Sequence, residues 1–192
     1  MRIIAGSARG TTLLAPEGLR TRPTGSRARE ALFSVLTSRG VFGDAPVVLD
    51  LYAGTGALGL EAVSRGAAEA TLVESTPAVA ALARENARRA RLAAQVQIVN
   101  LPVEKFLRAP PPALAGRVAL AFLDPPYEAN LLPQGLRALA ESRLLAAGAT
   151  VVAERRHGTD PAPAPAGLQA ADERRWGEAA VTIYVAEAEA GA

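Results

Sequence analysis

The stretch "VLDLYAGTGALGLEA", from Val48 to Ala62, decides the fold because an apolar run leads through a glycine-rich turn into a helical pattern. Gly54, Gly56 and Gly59 have the G-x-G-x-x-G spacing of a dinucleotide-binding turn, where glycines allow a tight turn and close packing of the helix. Ligands of open α/β sheets bind at such strand ends. The sequence therefore predicts a nucleotide-like ligand at this turn.

Short β-rich runs alternate with helical patterns from Val47 onward, which predicts a mostly parallel α/β sheet. The predicted strands are residues 47–52, 69–75, 95–99, 118–124 and 149–154. The predicted helices between them are residues 57–66, 76–92, 102–109 and 131–148. Residues 168–186 are expected to form a C-terminal antiparallel hairpin that turns near Trp176 and Gly177.

Residues 1–40 form a segment of different character. Two short strands are predicted within residues 2–16, and a helix within residues 22–40. The segment holds seven arginines and two glutamates, although the formal net charge of the whole chain is only +2. Arginine binds phosphate oxygens and stacks on bases, so this clustering indicates a polyanion as partner. The alternative is a solvated arm with scattered charge.

The composition excludes several classes of protein. The chain has no cysteine and a single histidine, His157, so disulfides are excluded and we expect no bound metal. No apolar run is long enough to span a bilayer, and the first ten residues lack the apolar core of a signal peptide. We therefore expect a cytoplasmic protein that does not associate with membranes.

The carboxylates near the glycine turn distinguish between cofactors. Asp50 lies four residues before Gly54, where a dinucleotide would place its pyrophosphate, so its carboxylate favours a cation instead. S-adenosylmethionine carries an ammonium and a sulfonium and no phosphate. Glu74 lies twenty residues after Gly54 and can accept both ribose hydroxyls, a feature that NAD sites share. Asp50 therefore favours S-adenosylmethionine over NAD at this turn, and the choice is settled by the motif after the fourth predicted strand.

The sequence Asp124-Pro125-Pro126-Tyr127 follows the fourth predicted strand. The prolines fix the backbone, so the Asp124 carboxylate and the Pro125 carbonyl form a rigid pair of acceptors. Two acceptors suit an exocyclic amine of a nucleobase, because binding both N–H groups favours its nucleophilic form. Tyr127 can stack on an unstacked or flipped base. These residues predict methyl transfer to such an amine, with the proton passing to Asp124 or to water.

The chain resembles the RsmD family of methyltransferases over almost its whole length. The resemblance rests on "MRIIAGSARG" (1–10), "RTRPTGSRAREALFSVL" (20–36), "LDLYAGTGALGLEAVSRGA" (49–67), "LVES" (72–75) and "FLDPPY" (122–127). The first two motifs are the specific part, since many amino-methyltransferases share the others. This family methylates the N2 amine of a guanine in 16S ribosomal RNA. The resemblance implies a Rossmann-like class I methyltransferase domain over residues 41–192 and an RNA-engaging extension over residues 1–40.

The resemblance also implies roles for individual residues. Asp124, Pro125, Pro126 and Tyr127 would hold the guanine, and the expected contacts of S-adenosylmethionine are Asp50, Tyr52, Ala53, Gly54, Thr55, Gly56, Glu74, Ser75 and Val103. The expected RNA contacts are Arg9, Arg20, Arg22, Pro23, Thr24, Arg27 and Arg29. Pro102 departs from the family pattern, because an Asp or Asn usually accepts from the adenine amine there. Adenine recognition then falls to the Val103 amide, to Asn100 or to apolar packing.

We expect a monomer that acts on 16S ribosomal RNA, either free or within an assembled small-subunit particle. Three alternatives remain. An amino-methyltransferase acting on adenine N6 or cytosine N4 shares both motifs, but such DNA enzymes usually carry a separate recognition domain. A NAD oxidoreductase shares the glycine turn. A non-catalytic RNA-binding module is the third, and the intact Asp124 to Tyr127 motif argues against it.

Overall fold

A computed structural model describes residues 1–16, 23–126 and 131–187. The helices are α1 Pro23–Ser38, α2 Ala57–Ser64, α3 Pro77–Arg89, α4 Val103–Arg108 and α5 Leu131–Glu141. The strands are β1 Val47–Leu51, β2 Glu69–Val73, β3 Val96–Val99, β4 Val118–Leu123, β5 Leu145–Arg156, β6 Leu168–Trp176 and β7 Ala179–Ala186. None of the described helices is long and apolar enough to cross a membrane.

The strands form one seven-stranded sheet in the order β3-β2-β1-β4-β5-β7-β6. Strands β1 to β5 run parallel, whereas β7 pairs antiparallel with both β5 and β6. The predicted parallel sheet with a C-terminal hairpin is therefore confirmed. Because the chain leaves β1 toward β2 and later returns to β4 on the other side, the carboxyl end of β1 lies at the topological switch point, where α/β sheets bind ligands.

Two apolar cores cover the two faces of the sheet. Residues from the N-terminal segment, α1 and α2, including Ile3, Phe33 and Leu60, pack on one face. Residues from α4 and α5, including Phe106 and Leu136, pack on the other. Side chains alternate between these cores along each strand, as the pleat requires. A helix-sheet-helix sandwich of this kind leaves the carboxyl ends of the strands uncovered for a ligand.

The end of α5 differs from the prediction of a helix through residue 148. The helix ends at Glu141, and Arg143 adopts a φ of +58°, in the left-handed region that terminates helices. The Ser142 hydroxyl donates to the Leu139 carbonyl at 2.7 Å and closes the last turn. Strand β5 then begins at Leu145, which pairs with Val118. The helix-forming composition of this stretch is overridden by pairing with β4.

The N-terminal segment is a looped arm rather than a pair of full strands. Its described strand pairing is a single antiparallel bridge between Arg2 and Thr12. Gly6 lies against α2, and a Cβ there would be 1.7 Å from the Ser64 carbonyl oxygen. With a φ of +83° as well, this position accepts only glycine. The Ser64 hydroxyl donates to the Ala5 carbonyl at 2.6 Å and fixes the arm on α2.

The carboxylate of Glu61 on α2 connects the arm to the rest of the fold. It is fully buried and accepts the N–H groups of Ile4 at 2.8 Å and Ala5 at 3.1 Å. Arg65 donates to it at 2.7 Å, and the Arg29 Nε lies 4.0 Å away. Buried charges persist only where hydrogen bonds and counter-charges replace water, as these groups do here.

We predict that Glu61→Ala lowers the free energy of unfolding by about 3–5 kcal/mol, because it leaves two N–H groups and the Arg65 guanidinium without their acceptor and the buried Arg29 without its counter-charge. Urea denaturation followed by circular dichroism measures this change. The matched control is Glu85→Ala, which removes an exposed pairing with Arg88 on α3 and should cost less than about 1 kcal/mol. Equal losses in the two variants would contradict the role given to Glu61.

Candidate active site

The glycine turn lies between β1 and α2 at the switch point. Gly54 and Gly56 have φ values of +55° and +86°, a conformation that glycine adopts without steric cost. A Cβ at Gly54 would meet no atom within 4 Å, so this part of the turn is open to a ligand. A Cβ at Gly59 would lie 2.7 Å from Leu72 Cδ1. Gly59 therefore serves the packing of α2 on the sheet rather than ligand contact.

Asp50 lies in β1 directly beneath this turn. Its Oδ2 accepts the Gly59 N–H at 2.8 Å, whereas its Oδ1 is buried and has no hydrogen-bond partner in the described part of the chain. Burial, with smaller contributions from the Asp124 and Glu74 carboxylates, raises the pKa of Asp50 to about 7 against the hydrogen bond from Gly59. An unpaired buried carboxylate oxygen next to other acids suits a positively charged ligand group.

Glu74 follows β2 and shapes the neighbouring part of the site. Its Oε2 accepts the Gly54 N–H at 3.0 Å, and its Oε1 accepts the Thr76 N–H at 2.7 Å. Each carboxylate oxygen keeps a second lone pair, so Glu74 can still accept hydrogen bonds from a ribose. Asn100, after β3, donates through its Nδ2 to the backbone carbonyls of Glu74 and Ser75. The ends of β2 and β3 are thus held together beside the turn.

The other predicted cofactor residues fall into two groups. Ala53 and Thr55 belong to the turn, and the Thr55 carbonyl accepts a hydrogen bond from the buried amide of Asn86 at 3.0 Å. Tyr52 and Val103 place their side chains against the opposite core. Tyr52 has a φ of +63°, a strained conformation for a non-glycine residue of the kind that concentrates at functional sites. Its backbone, rather than its ring, is the part nearest the turn.

Asp124 follows β4 directly, next to the glycine turn across the sheet. Pro125 is buried and Pro126 is exposed, so the pair anchors the backbone while Asp124 faces solvent. The surrounding protein still raises the pKa of Asp124 to about 6 by desolvation, because this accessible carboxylate lies at the base of a cleft. At neutral pH Asp124 is mostly ionised and more basic than an ordinary carboxylate.

A cleft of about 260 Å³ opens at Asp124 on the face of the sheet that carries the arm. Its lining combines the start of α1, the ends of β4 and β5 and the hairpin turn, and includes Ser26, Ala28, Arg29, Asp124, Glu154 and Trp176. Small-molecule sites start near about 300 Å³, so the cleft fits one flat aromatic group better than a dinucleotide. Asp124, which is predicted to hold the methyl-accepting base, and the N-terminal segment therefore meet at one cavity.

The predicted RNA contacts are distributed unevenly. Arg9 and Arg27 are exposed. Arg29 is buried instead, and its guanidinium donates to the Arg2 carbonyl at 2.6 Å and lines the cleft. It is therefore placed to hold the arm against α1 rather than to contact phosphates at the surface. Pro23 and Thr24 open α1, whereas Arg20, Arg22 and Tyr127 lie outside the described residues.

Two residues of this region, Asn86 and Glu154, escaped the sequence analysis. Asn86 on α3 is fully buried and also bonds both backbone groups of Leu14, so it joins the arm to the glycine turn. Glu154 and Trp176 line the cleft from β5 and β6. The carboxylates of Asp124, directly after β4, and Glu154, near the end of β5, lie on adjacent strands, which becomes apparent only once the order of the strands is known.

Comparison with known proteins identifies the family. The family described as "Conserved hypothetical protein 95" matches residues 1–185. The chain belongs to this family. A relative from Escherichia coli strain K12, named ribosomal RNA small subunit methyltransferase D, is 35% identical over 195 residues, covering 98% of this chain and 91% of the relative. The resemblance to the RsmD family is therefore confirmed.

Solved structures share the architecture of this family member. A hypothetical protein from Thermus thermophilus is 37% identical, with a TM-score of 0.80 over 98% of this chain and 99% of that protein. An RNA methyltransferase from Salinibacter ruber, solved with S-adenosyl-L-homocysteine, is 18% identical, with a TM-score of 0.60 over 84% of this chain and 94% of the other. The latter likeness concerns the fold alone. The predicted Rossmann-like methyltransferase fold is confirmed.

The buried Asp50 carboxyl leads to a prediction about stability and pH. Because its pKa is raised when folded, the folded state keeps a proton that the unfolded state has lost between about pH 4 and pH 7. This group therefore lowers the free energy of unfolding as pH rises through that range. Asp50→Asn keeps an oxygen for the Gly59 N–H and removes the titration, so its stability relative to wild type should increase with pH.

Urea unfolding without added cofactor, between about pH 4.5 and 8, measures the difference between the two proteins at each pH. Asp44→Asn, at an exposed position before β1, is the matched control and should follow the wild-type curve. Parallel curves for wild type and Asp50→Asn would show that Asp50 does not carry a raised pKa.

Proposed function

We propose that the protein transfers a methyl group from S-adenosylmethionine to the exocyclic N2 amine of a guanine in 16S ribosomal RNA. The observation that carries this proposal is the position of Asp124, which directly follows β4 at the switch point, precedes Pro125 and lines a cleft bounded by the N-terminal segment. The name of the Escherichia coli relative supports a ribosomal RNA substrate. The protein would act in the cytoplasm as a monomer.

The acceptor pair explains how the amine becomes a nucleophile. The nitrogen lone pair of a guanine amine is delocalised into the ring, which makes it a poor nucleophile. The Asp124 carboxylate and the Pro125 carbonyl accept its two N–H groups and hold the nitrogen with its lone pair directed away from the base plane. The rigid Pro125-Pro126 backbone keeps both acceptors in place, so positioning supplies much of the catalysis.

Asp124 is also suited to receive the proton that the amine loses after methyl transfer. Desolvation raises the pKa of Asp124 to about 6, which makes its carboxylate a better proton acceptor near neutral pH than an exposed one. When bound, S-adenosylmethionine supplies a methyl group on a positively charged sulfur. The remaining catalytic requirement, exclusion of water around the amine, falls to the walls of the cleft.

The residues around the glycine turn fit S-adenosylmethionine. The unpaired Oδ1 of Asp50 and the nearby acids favour its positive charges, and the carboxylate of Glu74 can accept its ribose hydroxyls. Gly54 leaves space for the ligand beside the turn. The adenine would lie between Ser75 and Val103. The side-chain amide of Asn100, whose Nδ2 is bonded to the Ser75 carbonyl, would offer its Oδ1 to the adenine amine, and the exposed side chain of Leu101 would contact the ring.

Residues 1–40 would form an extension that holds the RNA. Arg9 and Arg27 are exposed, and Arg27 lies between Ser26 and Ala28, which line the cleft. Arg20 and Arg22 add charge in the neighbouring sequence. Counterions released from phosphates on contact with arginine drive such binding. The start of α1 lines the cleft itself, so the extension would both bind the backbone and limit access to the target base.

We predict that Asp124→Ala lowers turnover by about 10²–10⁴-fold while cofactor affinity changes little, because the amine loses an acceptor and a base. The rate of labelled methyl transfer to undermodified 16S ribosomal RNA measures turnover, and isothermal titration calorimetry measures the affinity for the cofactor. Asp160→Ala, at an exposed position before β6, is the matched control. Unchanged turnover in Asp124→Ala would refute the catalytic role of Asp124. Full activity of Asp124→Asn would show that water, rather than Asp124, accepts the proton that the amine loses.

The nucleoside that carries the label tests the substrate assignment directly. Digestion of the methylated RNA should give N2-methylguanosine at one position. A parallel reaction with duplex DNA addresses the amino-methyltransferases that act on adenine N6 or cytosine N4. Label in DNA alone, or on another base of the RNA, would overturn the proposed substrate.

A second prediction concerns the arginines of the extension. The double variant Arg9→Ala, Arg27→Ala should bind RNA more weakly. The slope of log affinity against log salt concentration should become shallower by up to about 2, because fewer counterions are released on binding when two phosphate contacts are lost. Filter binding across salt concentrations measures the slope. The matched control is Arg108→Ala, Arg137→Ala, which removes two exposed arginines from the opposite face of the sheet. If both double variants have the same slope, the arginines of residues 1–40 do not contact the RNA phosphates.

A further inference from the structure

Glu154 is the second carboxylate at the base of the cleft. Leu123 pairs with Ala153 in the parallel ladder of β4 and β5, so the following residues, Asp124 and Glu154, are lateral neighbours. Neighbouring strands lie about 4.8 Å apart, and residues paired in this way place their side chains on the same face. Phe122 and Val152, two residues earlier, both pack in the core beneath the arm. The two carboxylates therefore share the face on which the cleft opens.

Glu154 has no partner among the residues that the structure describes. Within the described ranges, its carboxylate forms no ion pair or hydrogen bond, and the Arg29 guanidinium of the same cleft is directed to Glu61 and the Arg2 carbonyl. Burial, together with repulsion from Asp124, raises the pKa of Glu154 to about 8. An unpaired acid beside another acid destabilises the folded state, so packing does not explain its presence.

The target base would supply the hydrogen-bond donor that the Glu154 carboxylate lacks. In guanine, the ring nitrogen beside the N2 amine carries a hydrogen, so the amine and N1 present adjacent N–H donors. Adenine N1 and cytosine N3, each beside an amine, have a lone pair there instead. A carboxylate facing this position accepts a hydrogen bond from guanine and meets a lone pair on the other two bases.

We propose that Glu154 accepts the N1–H of the target guanine while Asp124 accepts its N2 amine, and that Glu154 thereby determines specificity for guanine. This inference rests on the proposed function, since it assigns a role within the same cleft. Two N–H donors also stabilise the charged forms of the two carboxylates, which repel each other in the free protein. Val181, which pairs with Glu154 and lines the cleft, supplies an apolar wall that keeps water from this contact.

An RNA carrying 2-aminopurine at the methylated position tests this specificity. This base keeps the N2 amine but has no N1–H and no O6. The wild-type enzyme should methylate it at least about 100-fold more slowly than guanine, because a site built around a donor rejects an analogue without it. In Glu154→Gln, the amide can donate to the N1 lone pair of 2-aminopurine. That variant should lose activity on guanine and gain activity on 2-aminopurine, so the ratio of the two rates changes by more than about tenfold.

Two controls make the result specific to Glu154. Glu141→Gln makes the same charge change at an exposed position at the end of α5 and should keep the wild-type ratio. Glu154→Asp keeps a carboxylate and should retain the preference for guanine at a lower rate. Equal wild-type rates on the two bases, or a parallel loss on both bases in Glu154→Gln, would overturn the proposal. If Glu154→Gln does not fold, the wild-type and Glu154→Asp ratios still decide it.

Failure of the proposed function has a different signature. In that case the wild-type enzyme gives no N2-methylguanosine on 16S ribosomal RNA, whatever the variants do. If the wild type forms N2-methylguanosine and the ratio is insensitive to Glu154→Gln, the methyl-transfer function stands and only the role of Glu154 falls.

Discussion

The buried carboxylate of Glu61 is the interaction on which the geometry of the site depends. It lies on α2, whose first residue follows the glycine turn, so one short helix carries the turn at its end and the arm along its side. Arg29 approaches the same carboxylate from α1 and bonds the arm backbone. Since the start of α1 lines the cleft, the position of that wall is set through this cluster. Desolvation of these charges is offset by directed hydrogen bonds, which also restrict the arrangement to one geometry.

Acidic residues converge on the carboxyl ends of the strands. Asp50, Asp124 and Glu154 all have pKa values raised by desolvation, and the sheet topology brings their strands together in the order β1-β4-β5. Such clusters cost stability in the free protein and concentrate at functional sites. In the proposed reaction, a cationic cofactor and a base rich in N–H donors would approach from opposite sides and compensate this charge.

The order of strands and helices could be predicted from the sequence because it depends on local patterns. The glycine turn, the apolar runs and Pro77 at the start of α3 mark their elements without knowledge of neighbours. The end of α5 was predicted wrongly, because "LLAAG" favours a helix locally while Leu145 pairs with β4. Glu61 and Asn86 gave no signal, since their roles depend on the arm that packs across them. Glu154 precedes Arg155 and Arg156 and so resembles an ordinary charged strand end.

Strand β6 forms one edge of the sheet, and its side chains affect the tendency of the protein to aggregate at high concentration. An edge strand exposes backbone groups that can pair with a strand of another molecule. Here successive charged residues, Glu173, Arg174 and Arg175, occupy the edge, and Asp172 is bonded to Arg39, which follows α1. A second strand docking there would bury these charges. These charges therefore oppose edge-to-edge aggregation. They also oppose pairing of another chain beside Trp176, so this side of the cleft stays accessible to a large substrate.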